Sequence, residues 1–529
     1  MEEAPREVTP PPIQAPTAKE KKYDRQLRLW AASGQRALEE SHVLLIVGED
    51  KTGSNSSVAG AETLKNLILP SIGSFTVADA ATVQEEDLGI NFFLEPASLD
   101  KSRAEETTRL LQELNPDVTG HSITRPLTEW IPEQDSLKPY NLIILCAPIV
   151  PEVLQRICNY ASAASIPIIY VQSVGLYSSF SIQLPAEFPI VDTHPDPDTT
   201  TDLRLLAPWP ELTAEVDALG DITALSDHDH GHIPYLLILL HHLKQWHTEN
   251  GSYPSDFKQK TAFRDLVRSS ARTNNPEGGE ENFDEASAAV LKTIAPPPLG
   301  SGCRDMFSMP SCTSITPESA NFWLIANGIK QFYEKCGVLP LPGSLPDMKA
   351  TSSSYIKLQN IYKSKARRDV AEVTEIVRAS EKSLSRSTTI ADAEIESFCK
   401  NASHVRVLTN TSNNAVPSFR LQVSDPKALN SIKTALENDW EDMLPIFIAL
   451  NSAHLPITKL TEDEEKQESI MNCVAEVDRM EGGELHNISS VTGGVVAQEA
   501  IKLLTRQYVP VEGTAVYDGI RGKVATFKL

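Results

Sequence analysis

A loop rich in glycine and serine follows the first strongly apolar segment of the chain, at a position where many folds bind phosphate. The run Val43–Val47 has the composition of a buried parallel strand, and the pattern predicts a helix over residues 58–69. Free amides at the N-terminus of such a helix attract phosphate. The loop Gly48–Gly60, however, does not match G-x-G-x-x-G, and Glu49 and Asp50 would place two anions beside any phosphate. The loop therefore disfavours nucleotide binding.

Asp79 closes the second predicted strand, Phe75–Ala78, and an acid at such a position suits the ribose hydroxyls of a dinucleotide. This leaves a Rossmann-type NAD-dependent oxidoreductase as one alternative. The alternative lacks further support, because the glycine fingerprint is missing and no acid–base pair is evident. An Asp at the end of a strand is as often the cap of the following turn.

Cys312, in the sequence Pro-Ser-Cys-Thr-Ser, is the candidate nucleophile. A nucleophilic thiol needs exposure and a pKa lowered by a cation or a helix N-terminus. Arg304 is the only nearby cation in the sequence. A structural thiol is the more usual role of a single cysteine in this setting.

The segment Asp227-His-Asp-His-Gly-His232 is the strongest metal candidate, since zinc takes nitrogen and oxygen donors. No further Cys or His set completes four ligands around it. Alternating acids and histidines before an apolar helix also suit an N-terminal cap, where acids interact favourably with the helix dipole. We therefore predict no metal site.

Predicted strands and helices alternate in the first part of the chain, whereas long helical patterns dominate later. Alternation of this kind indicates a doubly wound parallel sheet with ligand sites at the carboxyl ends of its strands. We predict a flexible Pro-rich tail (1–22), the first part of an α/β domain (23–180), a mainly helical inserted domain (181–480) and a return to the α/β domain (481–529).

The charge of the chain excludes several classes of partner. Its 529 residues include 71 acidic and 48 basic side chains, a formal net charge of -23, whereas nucleic acid and anionic lipid require a cationic surface. The 7 cysteines contain no Cys-x-x-Cys pair, and no run approaches the roughly 20 apolar residues of a membrane span. We predict a cytoplasmic and nuclear protein that binds neither nucleic acid nor membrane.

Three motifs resemble those of the enzymes that activate ubiquitin-like modifiers: Tyr23-Asp-Arg-Gln-Leu-Arg-Leu-Trp30, Gly34-Gln35 and Thr492-Gly-Gly-Val-Val-Ala-Gln-Glu499. Other segments, among them Asn91-Phe-Phe-Leu94 and Tyr355-Ile-Lys-Leu-Gln-Asn360, are similar to the regulatory subunits of heterodimeric neddylation-activating enzymes. The resemblance implies a ThiF/MoeB-type, Rossmann-like adenylation domain. It also implies that the inserted helical domain is like a catalytic-cysteine domain but inactive.

In that family one subunit binds ATP and magnesium and adenylates the modifier, while the other is a degenerate copy. The resemblance implies that this chain is the degenerate, non-catalytic copy. Its partners would be the catalytic subunit of a neddylation-activating enzyme and a Nedd-type ubiquitin-like modifier, which is passed to a cysteine of that catalytic subunit. ATP and magnesium would lie in the partner, and this chain would bind no cofactor.

The resemblance also identifies the altered positions. Asn91 stands where active copies have a phosphate-holding Arg, Arg103 where they have a Lys, and Ala147 where an Asp holds magnesium. An alanine cannot ligate a hard cation that requires oxygen. Together with Asp79 and the loop at Gly48 and Gly53, these positions form the predicted degenerate pocket.

Arg25, in the Tyr-Asp-Arg-Gln motif, is the residue to which the resemblance gives a chemical role. In the related enzymes the Arg of this motif reaches across the pseudo-dimer to the partner's ATP, where a cation with several donors suits phosphate. The simpler alternative is a surface salt bridge with the adjacent Asp24. For the whole chain, the second alternative is a self-sufficient activating enzyme that forms a thioester on Cys312.

Overall fold

The structure, a computed structural model, describes residues 16–50, 53–54, 57–133, 135–196, 202–274, 279–296, 299–409, 426–438, 442–452 and 457–528. The chain divides into two compact units. The α/β unit comprises Met1–Phe188 and Leu408–Leu529, and the helical unit comprises Pro189–Val407. The predicted insertion of a helical region into an α/β fold is therefore confirmed.

The strands of the described chain are, in chain order, β1 (His42–Val47), β2 (Glu49–Asp50), β3 (Gly53–Ser54), β4 (Ser74–Ala78), β5 (Thr119–Ile123), β6 (Leu142–Cys146), β7 (Ile168–Val174), β8 (Tyr177–Gln183), β9 (Glu187–Val191), β10 (Val405–Thr409), β11 (Thr514–Asp518) and β12 (Lys523–Phe527). Eight of them form one sheet, in the order β12-β11-β8-β7-β6-β1-β4-β5.

The sheet is parallel in one part and antiparallel in the other. The strands from β7 to β5 pair in parallel, with Leu45 of β1 opposite Val77 of β4 and Ile144 of β6. Strands β8, β11 and β12 add antiparallel pairs. The side chains of β1 are buried after His42, as expected for a central strand covered on both faces. The predicted parallel sheet is thus confirmed and extended by three antiparallel strands.

The α-helices are, in chain order, α1 (Ala18–Lys22), α2 (Asp24–Glu39), α3 (Val58–Ile68), α4 (Glu85–Ile90), α5 (Arg103–Gln112), α6 (Leu127–Trp130), α7 (Pro151–Ala164), α8 (Pro210–Asp217), α9 (Asp227–His230), α10 (Tyr235–Asn250), α11 (Phe257–Ser269), α12 (Glu281–Thr293), α13 (Ser301–Ser308), α14 (Pro310–Thr313), α15 (Asn321–Cys336), α16 (Ser352–Ser383), α17 (Asp392–Lys400), α18 (Pro426–Asn438), α19 (Leu444–Ser452), α20 (Glu464–Arg479) and α21 (His486–Thr505).

Helices α3 and α21 pack against each other with almost no side chain between them. A Cβ atom added at Gly493 of α21 would lie 2.6 Å from Cβ of Glu62 and 2.9 Å from the carbonyl oxygen of Ala59, both in α3. Glycine at this position lets the two backbones approach. The helix at the end of the chain is thereby fixed beside the helix that follows the glycine-rich loop.

The return to the α/β unit begins earlier than the predicted residue 481. Helices α18 to α20 belong to the α/β unit, because their apolar faces bury Tyr177 and Val516 of the antiparallel strands in one core. The rings of Phe447 in α19 and Phe527 in β12 lie 5.2 Å apart. A helical pattern does not reveal which unit a helix packs on, so the predicted range 181–480 was too long at both ends.

The end of the predicted flexible tail, from residue 16 to residue 22, is ordered and contains a short helix. Residues 1–15 lie outside the described residues, but α1 follows at Ala18. Thr17 caps this helix, since its hydroxyl accepts a hydrogen bond from the amide of Glu20 at 3.1 Å and the Glu20 carboxylate accepts from the Thr17 amide at 2.6 Å. Lys22 then pairs with Asp117 at 2.6 Å. The capping box and this ion pair hold the segment in place.

The helical unit has two apolar cores. One surrounds Leu236 and Leu240 of α10, and the other surrounds Ile325 and Ile329 of α15. None of the helices in the described ranges is long and apolar enough to cross a membrane.

Candidate functional site: a pocket at the end of the parallel strands

The glycine-rich loop packs closely against the strand beside it. Gly48 donates its amide to the carbonyl of Cys146 at 2.9 Å, and a Cβ atom at Gly48 would lie 1.9 Å from the carbonyl oxygen of Pro148. Glycine is required here for close packing of backbone on backbone. Gly53 lies in β3 and pairs with Asp50 of β2; residues 51, 52, 55 and 56 are outside the described residues.

Arg103 is the central charged group of the pocket, and two carboxylates hold it. Its Nε lies 2.6 Å from Oδ2 of Asp79 and its Nη1 lies 3.1 Å from Oδ1 of Asp87. All three side chains are buried. Burial lowers the pKa of Arg103, but the two carboxylates more than offset it and raise that pKa overall. The structure thus brings two predicted positions, Asp79 and Arg103, into one buried ion cluster.

Both carboxylate oxygens of Asp79 already accept hydrogen bonds within the chain, so neither is free for a ribose hydroxyl. Besides the contact with Arg103 Nε, its Oδ1 accepts from Nη2 of Arg103 at 3.3 Å and from the amide of Ala81 at 2.9 Å. Asp79 therefore caps the turn after β4, which is the alternative role that the sequence analysis allowed. Asp87, the second partner of Arg103, was not identified from the sequence, since an acid in the first turn of α4 has no distinguishing motif.

Asn91 and Ala147 complete the predicted positions. Asn91 is buried, and its Oδ1 accepts from the amide of Phe93 at 3.0 Å, which makes it the cap of a turn. Ala147 directly follows β6 and donates its amide to the carbonyl of Val171 at 2.9 Å. Its methyl side chain offers no metal ligand.

A group that the sequence did not point to, the carboxylate of Glu484, lies at the N-terminus of α3. Its Oε2 accepts from the amide of Ala59 at 3.1 Å and from the hydroxyl of Ser489 at 2.7 Å. Burial raises the pKa of Glu484 to about 7, while the hydroxyl of Ser489 and the amides of Ala59 and Val58 act in the opposite direction. In the sequence, the only local feature that marks Glu484 is the pair of glycines before it.

Cys146, at the end of β6, lies close enough to both Glu484 and Asp79 to be affected by their charges. Burial raises the pKa of its thiol to about 12, and the charges of Glu484 and Asp79 act in the same direction. A thiol with this pKa is not a nucleophile at neutral pH. Among the described residues of this site, Arg103 is therefore matched to its two carboxylates and the thiol of Cys146 is unreactive.

Cys312 lies elsewhere, in α14 of the helical unit, and is fully buried. Burial raises the pKa of its thiol to about 11, only partly countered by Lys330. The predicted neighbour Arg304 instead donates to the carbonyl of Leu299 at 3.1 Å. This environment opposes formation of the thiolate, and so opposes the thioester alternative.

The histidine-rich segment does not form a metal cluster, and the described ranges contain no group of three or more His, Cys, Asp or Glu side chains arranged to hold a metal. Ser226 caps α9 by accepting from the amide of Asp229 at 3.1 Å. His230 is buried, with Nδ1 2.8 Å from Oε1 of Glu280. This geometry agrees with the N-terminal cap that the sequence analysis gave as the alternative role of the segment.

Arg25 lies on the first turns of α2 and is exposed. Within the described chain, no hydrogen bond or ion pair of its side chain is found. The neighbouring carboxylate of Asp24 is taken by Arg28, one helical turn further on, at 2.9 Å. The structure therefore does not support the simpler alternative, a salt bridge between Arg25 and Asp24.

The fold and the site positions together define a ThiF-type adenylation fold. The model of the ThiF family matches residues 23–529, and the chain belongs to this family. The NEDD8-activating enzyme E1 regulatory subunit of Danio rerio is 34% identical over 97% of this chain and 99% of its own length. The same-named protein of Xenopus laevis is 33% identical with the same coverage, and the regulatory subunit AXR1 of Arabidopsis thaliana is 31% identical over 96% of each chain.

Within the ThiF family, the chain groups with these NEDD8-activating enzyme E1 regulatory subunits, as the sequence motifs predicted. Among solved structures, PaaA matches 34% of this chain and 55% of its own length, with 15% identity and a TM-score of 0.27. That likeness is too low to carry a functional argument.

Proposed function

We propose that this chain is the non-catalytic, regulatory subunit of a heterodimeric NEDD8-activating enzyme. It pairs with a catalytic subunit, which binds ATP and magnesium, adenylates a NEDD8-type modifier and takes the modifier onto its own cysteine. The names of the relatives at 31% to 34% identity over nearly the full chain support this proposal. The location of the complex in cytoplasm and nucleus stays a prediction.

The observation that carries the non-catalytic role is the pairing of Arg103 with Asp79 and Asp87. A guanidinium can turn to a phosphate only by leaving two buried carboxylates unpaired, and breaking a buried pair costs about 3 to 5 kcal/mol. Ala147 supplies no oxygen for magnesium. In this proposal the chain's own pocket is structural and binds no cofactor.

We further propose that Arg25 acts in trans on the ATP of the catalytic subunit. Its guanidinium is exposed on α2, and Asp24 is already paired with Arg28 at 2.9 Å. A permanently charged group with several donors is suited to stabilise the phosphates and the departing pyrophosphate. The role would be that of an arginine finger supplied by a second subunit.

The two alternative functions each require a side chain that the structure places in unsuitable surroundings. A self-sufficient activating enzyme needs an accessible thiolate at Cys312, which is buried with a pKa of about 11. An NAD-dependent oxidoreductase needs Asp79 free for ribose, yet Arg103 holds both of its oxygens.

ATP–pyrophosphate exchange with the purified chain, alone and after assembly with a catalytic subunit, tests the proposal. We expect no exchange from the chain alone and modifier-dependent exchange from the assembled heterodimer. The chain with Cys312→Ser should give the same two results, since this thiol has no part in the reaction. Exchange by the chain alone would contradict the non-catalytic role.

A further inference from the structure

Glu484 lies in the segment that connects α20 to α21, and its side chain contacts the first turn of α3. We call residues 480–486 the crossover segment. Its backbone is fixed to the sheet, because the amide of Gly175 donates to the carbonyl of Gly483 at 2.8 Å and Gly175 forms a parallel bridge with Glu484. Gly175 follows directly after β7, so the crossover segment lies at the carboxyl end of the parallel strands.

The side chain of Glu484 enters the pocket from this segment and meets the first turn of α3. Only 5% of Glu484 is exposed, and its Oε2 lies 3.1 Å from the amide nitrogen of Ala59. The amide of Val58 is also close enough to lower the pKa of this carboxyl group. These two amides are among those that a helix leaves without an intrahelical acceptor.

We infer that the N-terminus of α3 is an anion-binding position that Glu484 fills from within the chain, so that the crossover segment closes the pocket where a phosphate would otherwise bind. This inference rests on the proposed function, in which the pocket holds no nucleotide. A carboxylate and a phosphate offer the same kind of oxygen acceptor to a helix N-terminus, and both are favoured by its dipole.

A second contact holds the crossover segment beside Glu484. The ring of His486 stacks on Phe92, with centroids 3.7 Å apart and an interplanar angle of 21°. Its Nδ1 donates to the carbonyl of Ile90 at the end of α4, at 2.9 Å. The segment is therefore fixed on one side to α3 through Glu484 and on the other side to α4 through His486.

The pairing of the charged side chains near Glu484 is consistent with a filled site. Arg103 is neutralised by Asp79 and Asp87 at 2.6 and 3.1 Å, so no unmatched cation remains in this cluster to attract a second anion. Removing the Glu484 carboxylate would leave the amides of Val58 and Ala59 without their acceptor. An external anion could then take its place.

Hydrogen–deuterium exchange of the full chain in its heterodimer tests this inference. We compare Glu484→Ala and the near-isosteric Glu484→Gln with Glu481→Gln, which removes an exposed carboxylate from the same segment. In the alanine variant, peptides covering residues 58–62 and 482–489 should exchange on the order of tenfold faster, because the hydrogen bonds to the Glu484 carboxyl group are lost. The glutamine variant should show a smaller increase and the control none.

Inorganic phosphate is the probe for the vacated position. Added phosphate should slow exchange at residues 58–62 in Glu484→Ala but leave the wild-type chain unchanged. Unchanged exchange in both Glu484 variants, or no effect of phosphate on the alanine variant, would overturn the inference. If Glu484→Ala fails to fold, the inference is tested by comparing the exchange rates of Glu484→Gln and Glu481→Gln. The proposed function fails by a different result, ATP–pyrophosphate exchange by the isolated wild-type chain.

Discussion

Two arginines in different regions of the α/β unit have opposite surroundings. In the pocket, Arg103 is 5% exposed and is held by two buried carboxylates. At the start of α2, Arg25 is exposed, and the nearby carboxylate of Asp24 belongs to Arg28. A cation matched inside its own chain stabilises the fold, whereas an unmatched surface cation is available to another molecule. In our proposal, the first arginine belongs to a structural pocket and the second makes a contact that serves a partner.

Arg103→Met should have the largest effect on stability. The substitution leaves Asp79 and Asp87 buried without a counter-ion, and we expect the free energy of unfolding of the α/β unit to fall by about 3 to 5 kcal/mol. Urea denaturation of the full chain measures this loss.

Two controls sharpen the Arg103 result. Arg28→Ala removes only an exposed pair with Asp24 and should cost about 1 kcal/mol or less. Adding Asp79→Asn and Asp87→Asn to Arg103→Met should recover much of the stability, because none of these three positions then carries an unpaired buried charge. If Arg103→Met were as mild as Arg28→Ala, the cluster would not be the structural core of the pocket.

Gly48→Ala should destabilise the chain by about 1 to 3 kcal/mol, the usual cost of overpacking. The new Cβ would lie 1.9 Å from the carbonyl oxygen of Pro148. The matched control is Gly89→Ala in α4, where an added Cβ meets nothing within 4 Å and should stabilise the helix by about 0.5 to 1 kcal/mol. Thermal unfolding compares the two. Equal shifts would mean that the glycine of the loop has no packing role.

Cysteine modification extends the comparison to the helical unit. Cys312 is buried with a pKa of about 11, whereas Cys336 is exposed. At neutral pH a maleimide should react with Cys312 roughly 100-fold or more slowly than with Cys336, because less thiolate is present and access is blocked. As pH rises towards 11, the rate at Cys312 should increase. Mass spectrometry of timed samples measures both rates, and rapid labelling of Cys312 in the folded chain would reopen its role as a nucleophile.

The sequence predicts the central parallel strands well, because runs such as Val43–Val47 of β1 are apolar throughout and are separated by amphipathic helices. It does not predict the edge strand β5, which is polar and largely exposed, or β8, whose three serines depart from the apolar pattern of the central strands. In the site, Asp79, Arg103 and Ala147 were found through motif positions. Glu484 was not, because it lies 425 residues from Ala59, its partner in the pocket, and only the folded chain brings them together.

We propose above that this chain supplies Arg25 to the active site of its catalytic partner. ATP–pyrophosphate exchange by heterodimers with Arg25→Ala, Arg25→Lys and Arg28→Ala tests it most directly. One donor lost from a preorganised site typically lowers the rate roughly 100- to 1000-fold. We therefore expect such a loss for Arg25→Ala, partial recovery for Arg25→Lys, which keeps the charge but not the planar fork, and little change for Arg28→Ala. Exchange per assembled complex that is unaltered by Arg25→Ala would contradict the claim, and a loss of subunit association instead would make Arg25 an interface residue.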